Sequence, residues 1–231
     1  ILPPLRRNRS LFRGVCGFAS TRSPIDVNGN FRNSEVLTMS GDCFDTLGLR
    51  TEIGRPFSLA DDIANGPHVA VLTYRFWQSA FHGDPDIVGQ NIRVQDISFT
   101  IIGIADRKFM GLQLGSDPSL IVPLAQRPGS TTISSVRPLS YWIYILTRRV
   151  AGTSNGTVQS YLDATAKQLL EESVPLHNNP RQRADYINRH LYSISGAAGV
   201  NWWYEERFNT PLYIVLGICV CVLLLACVNL Y

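Results

Sequence analysis

Asp61, Asp62 and His68 fall within one short stretch of this 231-residue chain. Two carboxylates beside an imidazole could form a site for general acid–base chemistry. The same residues also read as a solvated loop ahead of a strand, because neighbours in sequence need not converge in space. The four histidines, His68, His82, His177 and His190, show no HxxxH spacing, and the cysteines form no CxxC pair, so no metal site is expected. Asp84-Pro85-Asp86 reads as a helix stop rather than a ligand set. The chain lacks GxxxxGK[ST], HExxH and GxGxxG, so it carries no nucleotide loop of its own. Cys16 and Cys43 could pair in an oxidising compartment or remain free thiols, and their spacing decides neither. Asn8-Arg9-Ser10 and Asn155-Gly156-Thr157 match a glycosylation sequon too common to carry weight. Nothing here reads as an enzyme.

The elements that would position these residues follow from local pattern. Val15–Ala19 and Ser34–Ser40 predict strands separated by a loop holding Pro24, Asn28 and Gly29. Ser40 is the expected N-cap of a short helix bearing Phe44 and Leu47 and ending at Gly48. Val69–Leu72 predicts a strand, and Thr73 then caps a helix over YRFWQSAF that Gly83 stops. Phe76, Trp77 and Phe81 on that helix could line a ligand pocket or fill a core, and core packing is the better reading. Asn91–Val94 and Ser98–Ala105 predict a hairpin, followed by a short strand at Leu120–Val122. Residues 126–140 read as a loop between lobes, Tyr141–Thr147 as a strand, and a helix starts near Thr157 with Val158, Tyr161, Leu162, Thr165, Leu169 and Leu170 on one face. Leu191–Ile194 is the expected final strand. Strands and helices mix without regular βαβ alternation, which predicts an α+β fold.

Leu212–Val228 is uncharged and almost wholly apolar, about 25 Å long as a helix against a bilayer core of about 30 Å. Trp202, Trp203, Tyr204, Phe208 and Tyr213 gather just before or at its start, where amphipathic rings favour a headgroup zone. Residues 211–231 are therefore expected to begin a transmembrane helix, with the lipid bilayer as partner. The formal charge of +3 and the scattered arginines argue against nucleic acid. Arg6, Arg7, Arg9 and Arg13 read as a solvated segment near the membrane, and ILPPLRRNRS lacks the apolar run of a signal peptide.

The segment MSGDCFDTLGLRTEIGRPFSLADD resembles the opening of the periplasmic core domain of MacB/FtsX-type ABC transporter permeases. Ser40, Phe44, Leu47, Gly48, Gly54, Arg55, Phe57, Asp61 and Asp62 carry the match. HVAVLTYRFWQSAFHGDPDIVGQNIRVQDISFTIIGIA continues it, FMGLQLGSDPSLIVPL is similar to the duplicated orphan permeases of acidobacteria, and LLLACVNL resembles the start of the large permease bundle. Met39 stands where Val is usual, and Cys43 where Asn or Tyr is common. The resemblance implies a two-lobed extracytoplasmic domain: a porter-like lobe over about 1–52 and 136–208, and an inserted Sabre-like lobe over about 53–135. It further implies no catalytic group and no cofactor on this chain, with ATP handled by a cytoplasmic ABC ATPase. The remaining partners it implies are the rest of the permease, a periplasmic adaptor and a second copy of the chain. Residues 1–210 would lie on the periplasmic side of a bacterial inner membrane, coupling ATP-driven motion to export or envelope-partner action. Trp202, Trp203, Tyr213 and Gly217 are the candidate coupling residues, with plain lipid anchoring as the other reading. The alternative function is a single-pass membrane-anchored sensor or enzyme using Asp61, Asp62 and His68.

Overall fold

Two residues link Val27 to Asn30, and Gly29, at φ 83°, lets the chain reverse there at no steric cost. The hairpin so formed is far longer than the local pattern predicts. Its strands are β1, Phe12–Val27, and β2, Asn30–Met39, paired antiparallel from Phe18↔Met39 to Val27↔Asn30. Pro24 is tolerated inside β1 because the strand's second edge is largely unpaired there. That edge bonds β8, Tyr144–Arg149, along Phe12–Phe18 and then β5, Asn91–Val94, only at Ile25 and Asp26. The computed structural model describes residues 2–27, 29–113, 115–128, 143–174, 179–196 and 202–229, without the side chains of 202–210, 228 and 229. Residues 129–142, which hold most of the expected inter-lobe loop and the first two positions of the expected strand at 141–147, lie outside the description.

The remaining strands close on the hairpin. β2 runs parallel to β7, Pro118–Pro123, which pairs antiparallel with β4, Val69–Leu72. β4 lies parallel to β6, Ile97–Ala105, and β6 pairs with β5 across the two-residue turn Gln95-Asp96. Since β5 returns to β1, the order β1-β2-β7-β4-β6-β5-β1 is a closed ring of six strands. β3, Thr51–Gly54, extends the β5 edge of β6, and β8 extends the β5 edge of β1. The fold is mixed α+β.

Ile25, Val36, Leu72, Val94, Phe99, Ile101, Ile104, Leu120 and Val122 pack as one cluster, joined by Phe76 and Trp77 of α3, Tyr74–Phe81. Trp77 Nε1 donates to the Asp84 carbonyl at 2.7 Å, so both its ring and its N–H are satisfied within the core. Thr73 precedes α3 as expected, but its hydroxyl donates to the Pro118 carbonyl at 2.7 Å instead of capping the helix. A second cluster lies on β1. There Leu5 of α1, Leu2–Arg7, meets Phe12, Val15 and the apolar face of α4, Asn155–Ser173, formed by Val158, Leu162 and Leu169. Ser154 caps α4 by accepting from Thr157 N at 3.0 Å, which starts the helix slightly ahead of the expected point.

One expectation fails here. No strand forms at Leu191–Ile194 among the described residues. Instead the side-chain amide of Gln159 takes the partner's part, donating to Leu191 O at 2.9 Å and accepting from Ser193 N at 2.8 Å. In the arginine-rich start, Arg7, Arg9 and Arg13 are exposed, as expected of a solvated segment, while Arg6 is half-buried against Asp42. α5, Pro180–Ile187, opens with a capping box between Asn179 and Gln182. The chain divides into two compact units, residues 1–111 with 115–193, and 112–114 with 194–231. The second is built on α6, Trp202–Asn229, a 28-residue helix with Pro211 inside it. Its residues 211–227 are all exposed. Among the described residues no helix is long and apolar enough to cross a membrane.

Candidate functional site

The acidic pair does not assemble with His68. Asp61 is clamped by Arg55, whose Nη1 and Nη2 donate to its two oxygens at 2.9 and 2.8 Å, and by Ser58 N at 2.8 Å. The Arg55 hydrogen bonds, aided by the Ser58 N–H, hold its carboxyl down to about 2, against the pull of burial. Such a group stays ionised and takes no proton at physiological pH. Asp62 points elsewhere, accepting from Gly41 N at 3.0 Å and Ala125 N at 2.8 Å. Gly41 is crowded at this junction: a β-carbon on it would lie 2.3 Å from Ser58 O. His68 stacks edge-on against Phe99, with ring centroids 5.3 Å apart, and none of the hydrogen bonds of Asp61 or Asp62 reaches it. Gln126 completes the fastening. Its Oε1 accepts from Val69 N, and its Nε2 lies 2.9–3.3 Å from the carbonyls of Asp61, Ile63 and Pro67. Loop 55–68 is thus a tied structure, and its carboxylates are ties.

A second network was not foreseen. α2, Cys43–Leu47, has Asp42 at its N-cap instead of the expected Ser40, and Gly48 closes it at φ 70°. Arg6 of α1 grips Asp42 through Nε at 2.6 Å and Nη2 at 2.9 Å. Ser40 Oγ donates to the same carboxylate at 2.6 Å and accepts from Gly17 N at 2.9 Å. Arg7 reaches Glu172 of α4 at 3.4 Å. Between α1 and α4 an open cleft of about 320 Å³ is lined by Pro4, Arg7, Asn8, Tyr161, Thr165, Gln168, Leu169 and Glu172. The only sequence signal for this network is Arg6 itself, because its partner is 36 residues away.

Of the candidate coupling residues, Tyr213 is 71% exposed and Gly217 has open space where a side chain would stand. The side chains of Trp202 and Trp203 lie outside the described residues. No group of three metal-ligating side chains occurs among the described residues.

Residues 4–165 match the MacB-like periplasmic core domain. The chain belongs to that family. Solved structures share the fold of this MacB-like domain. The periplasmic region of MacB from Actinobacillus actinomycetemcomitans is 17% identical at a TM-score of 0.55, covering 72% of this chain and 71% of that one. The extracellular domain of the noncanonic ABC-type transporter YknZ from Gram-positive bacteria is 12% identical at 0.52, covering 74% and 80%. A domain described as that of a permease protein from Porphyromonas gingivalis is 13% identical at 0.53, covering 75% and 73%. No curated protein matches the sequence.

Proposed function

We propose that this MacB-like domain is the non-catalytic, periplasmic part of an ABC-type permease in a bacterial inner membrane, and that it turns ATP-driven motion of transmembrane helices into work on an exported substrate or envelope partner. The observation that carries this reading is the family match over residues 4–165. The tied state of Asp61 and Asp62 favours it over an anchored enzyme, since both carboxylates are spent on the fold. ATP is bound and hydrolysed by a cytoplasmic ABC ATPase, and this chain needs no cofactor. A periplasmic adaptor and a second copy of the chain are the further partners proposed.

Residues 211–231 are proposed to start a transmembrane helix. The exposed, apolar side chains from Leu212 to Leu225 support that, because water is a poor solvent for such a surface. Trp202, Trp203 and Tyr213 would sit at the headgroup level and Gly217 would permit close helix approach. The division into a porter-like lobe, 1–52 with 136–208, and an inserted Sabre-like lobe, 53–135, is likewise proposed. β1–β5 and β2–β7 pairing joins these segments, so any relative movement of the lobes must be borne by a shared sheet.

The test is labelling of Asn30→Cys, at the exposed hairpin tip, in cells whose outer membrane has been permeabilised. An impermeant maleimide should react before the inner membrane is broken. Reaction only after lysis would put the domain in the cytoplasm and sink the proposal.

A further inference from the structure

β1 is packed on both faces, and the two faces see different elements. A β-carbon on Gly17 would meet Leu2 of α1, whereas one on Gly14 would meet Thr46 of α2 at 2.8 Å. Alternate residues of a strand share a face, so Cys16 looks toward α2 with Gly14. Along α2, Cys43 lies one turn before Thr46, about 4.5 Å away at 1.5 Å per residue. Along β1, Cys16 lies two residues past Gly14, about 6.6 Å away at 3.3 Å per residue. Thr46 being opposite Gly14, Cys43 comes to the level of Cys16. The hydrogen bonds agree. Cys43 Sγ donates to the carbonyl of Gly17 at 3.3 Å, and Ser40 N donates to the same oxygen at 2.8 Å. Both cysteines are wholly buried, at 0% exposure.

We propose that Cys16 and Cys43 are joined by a disulfide in the exported protein, stapling β1 to α2 beside the Arg6–Asp42 tie. The inference rests on the periplasmic reading above for its oxidising surroundings. In the reaction each thiol loses its proton and the pair gives up two electrons as the S–S bond forms. The electrons pass to the disulfide of a thiol–disulfide oxidoreductase outside the inner membrane, which leaves as a dithiol. Burial, reinforced by the Cys16 thiol, pushes the Cys43 thiol far above its ordinary range once the domain is folded. A group held protonated is a poor nucleophile, so the bond forms while the chain folds, before the thiols are sealed.

The experiment uses the full chain in detergent with Cys219, Cys221 and Cys227 changed to Ala, so that only two thiols remain. It is refolded from reductant into oxidised glutathione, alkylated in denaturant and mapped by peptide mass spectrometry. The expected result is one cross-linked peptide pair and no alkylation at either position. The same variant is also taken from cell membranes quenched directly with iodoacetamide, where the same pair is expected, and reduction should lower Tm of this protein but not of Cys16→Ala/Cys43→Ala. Two alkylated thiols after refolding would overturn the proposal on geometry, whatever the compartment. A cross-link in vitro with free thiols in the cell-derived protein would overturn it for the cell and place the fault in the compartment. Since the cell-derived measurement needs no refolding step, poor refolding does not shield the proposal.

Discussion

Gln126 serves four backbone groups with one amide, and two hydrogens on Nε2 are shared among three carbonyls. It is 4% exposed, so its removal would strand the Val69 N–H and the loop carbonyls without water. Gln126→Ala should cost about 2–3 kcal/mol in urea unfolding while leaving secondary structure unchanged by circular dichroism. Asp61 gives a pH signature of its own. Its folded carboxyl titrates at about 2, below the ordinary carboxylate value, so the unfolded chain takes up the proton first. The stabilisation is therefore complete above about pH 4 and is lost as pH falls toward 2. With Arg55 half exposed to screening solvent, the pair is worth about 1–2 kcal/mol. Asp61→Asn should show that deficit at pH 6 and converge on the parent near pH 2, and curves that stay parallel would refute the assignment. The acidic pair was visible as a motif, but its work was not. Arg55 and Ser58 are close in sequence, yet Gly41, Ala125 and Gln126 reach this loop only through the tertiary fold.

α1 is short, with Leu5 buried and Leu2 half-buried against β1 and α4. The Arg6–Asp42 pair adds to packing in fixing its position, whereas the exposed Arg7–Glu172 pair adds little. The Arg6–Asp42 pair is bidentate and partly buried, which places it among the stronger surface pairs. Asp42→Ala should cost about 1–2 kcal/mol and raise amide exchange selectively over Leu2–Arg7, with the sheet protected as before. Equal loss of protection in β2 would mean that Asp42 supports the whole fold and not α1 in particular. At this scale the sequence is most readable where structure is local. β4 and α3 form where expected, and the β5–β6 hairpin differs only in taking Ile97 into its second strand, because period and turn chemistry act over a few residues. α1, β3 and α5 carry too short or too polar a pattern to be read. Leu191–Ile194 was misread because an apolar run does not say whether its backbone will meet a strand or a glutamine side chain.

At the scale of the molecule, the α+β class followed from the mixing of elements, whereas ring closure left no trace in any one segment. It rests on Ile25↔Val94 and Thr38↔Val122, pairs separated by most of a hundred residues. Ile25 is fully buried in the ring, and Ile25→Ala should cost about 2–5 kcal/mol with an unchanged urea m-value if the ring unfolds as one cooperative body. Closure also has a consequence in time. The β1–β2 hairpin can zip as soon as it emerges, but β2 must wait for β7, and β1 for β5, before either gains its second neighbour. Loop-closure entropy is spent before those long-range pairs return anything, which makes for slow folding. Refolding should accordingly be limited by ring closure, with the hairpin protected early and β7 late in pulsed hydrogen exchange. A chain that stays open until its last strands arrive remains threadable, a state that suits passage to the periplasmic side proposed above.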